Sequence, residues 1–295
     1  MPLTYPVVLR GEAAFQAQQR QRRFASAIGL GLLAVCLVIA GWVSEFYPSS
    51  LAAGLPRAGE YFMRILPSLQ WGNLFAGWET EGSLAFWFYR LDKWALLLFQ
   101  TAQMAALATL MGASVAVVLA FPAARNLAWS RGTNLLTRRG LEATRTVPEI
   151  VYALIFVWAF GIGPLAGILA IALHTAGALG KLFAEVIENV DMKPWDGLRA
   201  SGANWVQSCR FAILPQVAPN LVSYALLRFE INVRSASVIG FVGAGGIGQE
   251  LYQVISFNYY EEISAIVVLV ILAVMMIDLV SERFRHRLID AAGAH

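Results

Sequence analysis

Six stretches of this chain are apolar over lengths that suit a helix crossing a bilayer, whose hydrocarbon core of about 30 Å takes about 20 residues. They are residues 25–43, 94–121, 147–163, 164–186, 216–242 and 262–280. The first follows the basic run Arg-Gln-Arg-Arg-Phe at 20–24. Its length and its lack of a small-residue cleavage site separate it from a secretory signal peptide and predict a signal-anchor helix. The third and fourth form a pair broken at Gly161, Gly163 and Pro164, and the fifth is unusually polar. Residues 44–93 are aromatic, punctuated by proline and too interrupted to span, which suits a belt lying at the membrane interface. The pattern predicts an all-α polytopic protein: a tail over 1–24, the first helix with its interfacial segment over 25–93, a core over 94–288 and a tail over 289–295.

Composition supports lipid as part of the solvent. The chain is 58% hydrophobic and 14% charged, against about 25% charged in a soluble domain. Its basic residues are also placed unevenly. Fifteen of the 22 fall in the N-terminal tail (with Arg10), the 122–146 loop, the 187–215 loop and the C-terminal tail; four fall in 44–93 and none in 243–261. Cytosolic loops carry the arginine and lysine excess, so both termini are expected in the cytosol. Cys36 and Cys209 have no metal-ligand spacing, and a disulfide framework is not expected on the cytosolic side.

Gly243, Gly245 and Gly248 spell G-x-G-x-x-G behind an apolar Ser-Val-Ile run, with Glu261 and Glu262 downstream. A dinucleotide site would need that motif inside a βαβ unit. Here the glycines end a membrane helix on the side away from the cytosol, and the nucleotide reading fails. Glycine permits close backbone approach and positive φ, so Gly240, Gly243, Gly245, Gly246 and Gly248 are expected to form an outer gate or a tight turn. The sequence has no Walker A motif, no nucleophile–base pair and no metal cluster. Any ATP hydrolysis coupled to this chain must come from another one.

The cytosolic segment 191–220 carries a short amphipathic pattern opening at Pro194-Trp195-Asp196, with Asp196 as the expected helix cap. Gly202 breaks it, and a second short helix over 203–213 is expected to end before Leu214-Pro215. Spacing here resembles the E-A-A-x3-G-x9-I-x-L-P loop of permease subunits in bacterial binding-protein-dependent ABC importers. Asp196, Gly197 and Leu198 occupy the E-A-A places, Gly202 the glycine, Ala212 the isoleucine and Leu214-Pro215 the ending. Residues 144–161, 161–191 and 224–251 are similar to the phosphonate-type branch of that family, and the likeness extends over about 94–288.

The resemblance implies a type I ABC importer permease fold in a bacterial inner membrane, assembled as a homodimer with no catalysis of its own. Two cytosolic ATPase subunits would carry ATP and Mg, and a periplasmic phosphonate-binding protein would deliver the cargo; nucleic acid has no part. It also implies a coupling surface at Trp195, Asp196, Gly197, Leu198, Arg199, Gly202, Ala203, Leu214 and Pro215. The alternatives are the same machine with another cargo (phosphate, methionine or a metal complex), an ion-driven secondary transporter, or a membrane enzyme.

The fifth span holds Arg228, Glu230, Asn232, Arg234, Ser235 and Ser237. A charge at mid-bilayer costs at least about 2.5–3.5 kcal/mol, so this helix must be enclosed by protein or border a wet path. Glu230 and Arg234, four residues apart, form either a structural ion pair or part of that path. Arg228, with no acid on its own face, is expected to meet the transported anion beside Asn232, Arg234 and Ser235. Lys181 and Glu185 are expected to pair, His174 to make a hydrogen bond between helices, and Glu142, Arg145 and Glu149 to serve as charge partners.

Overall fold

A computed structural model describes the backbone of residues 5–293 and the side chains of 15–285 and 287; Arg10 and the tail 289–295 lie outside the described side chains. No strand occurs among the described residues. The chain divides into two compact units, residues 1–64 and 65–295. The first contains α1 (Tyr5–Val43), with its apolar run, and most of the amphipathic α2 (Pro48–Ile65).

The second unit is a helical bundle. After the short α3 (Leu84–Trp87), α4 (Leu91–Ala123) runs 33 residues, about 50 Å at 1.5 Å per residue. It packs along α7 (Pro164–Glu188), and α10 (Leu214–Ile239) lies against both. Small residues bring the backbones together: a Cβ on Gly112 would sit 2.7 Å from the Ala172 carbonyl oxygen. Lipid offers no hydrophobic drive between helices, so close packing of this kind holds them. Three apolar clusters follow one another along the bundle. One is centred on Leu179, Phe183 and Ile213, one on Ala108, Ile171 and Val233, and one on Trp94, Ile247 and Ile266.

Among the described residues, four helices are long and apolar enough to cross a membrane: residues 15–43 of α1, α4, α7, and residues 260–285 of α12 (Tyr260–Gly293). The expected span 147–163 is instead the 12-residue α6 (Glu149–Phe160), about 18 Å long and too short to cross alone. Together with α5 (Arg131–Thr146) it forms a fifth, broken candidate, bent by 85°. The cause is local. Pro148 holds the preceding Val147 out of the helical region (ψ 125°). α10 has the length of a span but lacks the hydropathy, because of its charged residues.

Candidate coupling loop and intramembrane charge clusters

The 191–215 loop begins with α8 (Lys193–Ala200). Asp196 does not cap it; Asp196 lies in the first turn, and the preceding Asp191 accepts from the Lys193 amide at 3.0 Å. The helix ends in a Schellman motif. Gly202 has φ +88°, its amide donates to the Arg199 carbonyl, and the Ala203 amide donates to the Leu198 carbonyl at 3.0 Å. Asn204 and Gln207 then form a capping box that opens α9 (Trp205–Ser208). The second helix does not stop before Leu214-Pro215. A π-helical turn, Cys209–Ile213, carries it directly into α10, whose first turn holds Pro215; the Leu214 amide donates back to the Cys209 carbonyl, five residues earlier.

Two faces of α8 differ. Met192, Trp195 and Leu198 pack onto the cluster around Phe183, whereas Asp196, Gly197, Arg199 and Ala200 are exposed. The loop is tied down at Trp205, whose indole N–H donates to the Leu127 carbonyl at 2.9 Å and whose ring lies 4.7 Å from that of Trp129. Beneath it Cys209 is buried, and desolvation pushes its thiol up to about 12. The result is a braced, outward-facing helix with a polar face.

Inside the bundle, the charges of α10 find partners on other helices. Arg228 is not unpaired: its Nη2 donates to Glu149 Oε1 at 2.7 Å, and its Nε points at Thr175 Oγ1 at 3.4 Å. His174 Nε2 lies 3.6 Å from the same carboxylate oxygen, while its Nδ1 meets the Val147 carbonyl at 3.1 Å, the expected bond between helices. Asn232 is fully buried, and its amide donates to Thr109 on α4 and Thr175 on α7. In this structure it ties three helices and faces no open path. Ser235 is half-buried nearby.

The expected Glu230–Arg234 pair is absent. Arg234 reaches Asp278 on α12 at 2.6 Å, and Glu230 faces Arg285 at 3.6 Å. Lys181 likewise faces Glu142 on α5 at 3.7 Å and not Glu185. Three-dimensional neighbours supply more than one intrahelical contact worth about 0.2–0.5 kcal/mol. Thr109, Thr175, Asp278 and Trp205 are contact partners that the sequence pattern did not single out. The Asn-x-x-Gln spacing at 204–207 was a readable signal among those missed.

At the far end of α10 the glycines form a turn. Gly243, Gly245 and Gly246 take positive φ, and the Gly163 amide donates to the Gly243 carbonyl at 2.9 Å. Gly248, in α11 (Gly246–Ser256), crosses α10 so closely that a Cβ would lie 1.9 Å from the Ser237 carbonyl oxygen.

Residues 116–291 match the family model described as the binding-protein-dependent transport system inner membrane component, and the chain belongs to that family. It is 36% identical to HtxC of Stutzerimonas stutzeri, a permease protein named for phosphite transport, over 92% of this chain and 89% of that one. It is 32% identical to the phosphate-import permease protein PhnE of Mycolicibacterium smegmatis, over 88% of this chain and 45% of that longer protein. Among solved structures, the MetNI methionine ABC transporter in an inward-facing conformation matches with a TM-score of 0.57 at 21% identity, over 65% of this chain and 94% of that one. That likeness carries the fold alone.

Proposed function

We propose that this chain is the transmembrane subunit of an ATP-driven, binding-protein-dependent importer of phosphite or phosphonates in a bacterial inner membrane. The observation that carries this reading is the similarity to the phosphite-transport permease HtxC along nearly the whole of both chains. Six crossings are the four apolar helices, the bent α5–α6 pair and α10. The arginine excess puts both termini in the cytosol. Two copies pair, two cytosolic ATPase subunits hold ATP and Mg, and a periplasmic binding protein delivers cargo.

The loop geometry suggests how force enters. ATP-driven closure of the ATPase subunits presses on the exposed Asp196–Gly197–Arg199 face of α8. Trp195, Leu198 and Trp205 pass the load to α4, α7 and α10, whose rigid-body rearrangement switches access. The Gly240–Gly248 turn closes the outer end as a gate.

Growth of a strain deleted for this gene and for other phosphorus importers tests the cargo, with phosphate, phosphite, methylphosphonate or 2-aminoethylphosphonate as sole phosphorus source. Loss of growth on a reduced-phosphorus source, restored by the intact gene, is the expected result. A defect confined to phosphate moves the assignment to phosphate import, the activity named for PhnE of M. smegmatis. Normal growth on all four removes the phosphorus assignment.

A further inference from the structure

The pairing of Arg228 with Glu149 joins α10 to the first turn of α6. Arg228 stands on α10, which Asn232 locks to α4 and α7 through Thr109 and Thr175. Glu149 stands in the first turn of α6, directly after the break at Val147-Pro148 where α5 and α6 bend by 85°. The two side chains are 13% and 15% exposed, enclosed but not sealed. Only one guanidinium–carboxylate hydrogen bond joins them, whereas a guanidinium can offer an oxyanion two parallel donors. The cation is therefore held by an internal anion through part of its capacity, beside a break in the helix.

His174 completes the arrangement. Its Nδ1 must carry the hydrogen to bond the Val147 carbonyl, so neutral His174 turns the Nε2 lone pair toward Glu149, 3.6 Å away. Loss of Arg228 would strand a carboxylate in an enclosed site, which is costly.

We propose that Glu149 is a resident counter-anion that occupies the cargo's place on Arg228, and that a tetrahedral oxyanion passes by displacing it. Arg228 exchanges one anion for another. Glu149 stays in the same enclosure, its Oε1 3.6 Å from His174 Nε2. This rests on the reading of α10 as a wall of the path of an oxyanion importer.

The test is calorimetric titration of phosphite, methylphosphonate, phosphate and sulfate into the assembled permease–ATPase complex in nanodiscs, without the binding protein. Glu149→Gln removes the competing anion, so binding should tighten about tenfold or more relative to the intact complex. Arg228→Gln, alone or with Glu149→Gln, should abolish it. Glu149→Asp, which keeps the charge but shortens its reach, should give a smaller tightening and covers the case in which Glu149→Gln does not assemble. An assembled Glu149 variant that binds no oxyanion more tightly than the intact complex overturns the proposal. Tightening for sulfate alone would leave the counter-anion role standing and remove the phosphorus reading beneath it.

Discussion

Replacing Gly248 by alanine asks whether the G-x-G-x-x-G stretch exists for close approach of backbones. Gly248 is helical, so alanine gains up to about 1 kcal/mol of helix propensity there. Against this, its Cβ would stand 1.9 Å from the Ser237 carbonyl oxygen, 2.9 Å from the Ser237 carbonyl carbon and 3.1 Å from Gly240 Cα, where ordinary contact begins at 3.4 Å. All three are backbone atoms, so relief requires moving α10 or α11 by about an ångström or more. Overpacking costs about 1–3 kcal/mol when side chains can yield, and the upper end applies here. The net loss is about 2 kcal/mol, which for a bundle of this size lowers the melting midpoint by about 4–8 °C. Gly197→Ala is the control. No atom would lie within 4 Å of its Cβ on the outer face of α8, so only the propensity gain operates. Thermal melts of the two variants in one detergent, with ATP-driven uptake measured in proteoliposomes, check the reasoning. A Gly248→Ala midpoint equal to that of the native protein would refute it.

Asp196→Lys reverses a charge in the first turn of α8, which costs about 1 kcal/mol against the helix dipole, so the melt should fall by only a few degrees while uptake drops far more, by weakened engagement of the ATPase subunits; full uptake would remove Asp196 from the coupling surface. Trp205→Phe loses the bond to the Leu127 carbonyl, worth about 1 kcal/mol, and should raise the ATP hydrolysed per anion imported as the loop loosens. An unchanged ratio would show that the brace does not transmit force. Cys209, with its thiol pushed up to about 12 by burial, should resist maleimide between pH 7 and 9 in the folded complex and react once unfolded in detergent. A raised value means the reactive thiolate appears only as pH climbs toward 12, so rapid labelling at neutral pH would contradict the buried geometry.

What could be read from the sequence divides along a physical line. Features fixed by backbone chemistry within a few residues were legible: the bend at Gly202 and the turn at Gly243–Gly246 follow from φ requirements and were read, while the Asn204–Gln207 cap, a local hydrogen-bond pattern, was passed over. The Val147-Pro148 break belongs to the same class. Overlooking it led to a full span over 147–163 where the chain has a half-length helix after a sharp bend. Charge partners were not visible. Arg228 looked solitary because Glu149 lies 79 positions away in the chain, and the i,i+4 rule misassigned Arg234 and Lys181 because Asp278 and Glu142 approach from other helices.

That failure carries its own inference. A charged residue in a lipid-facing helix must be satisfied somewhere in the bundle, so the number of charges on α10 required it to be enclosed without saying by which neighbours. Of the pairs that resulted, Arg234–Asp278 is more than one-third exposed at both ends, whereas Arg228–Glu149 is at most 15% exposed. Solvent screening or a partner chain can compensate the loss of the outer pair, but the inner one has no comparable recourse within the bundle. If Arg228–Glu149 were only a bolt, apolar residues of similar volume would hold the helices as well or better. A charged pair beside a helix break is instead suited to exchange partners. This is why the decisive comparison is Glu149→Gln against Arg228→Gln. A bolt loses stability from either change and gains anion affinity from neither, whereas a counter-anion gives opposite effects on oxyanion binding from the two.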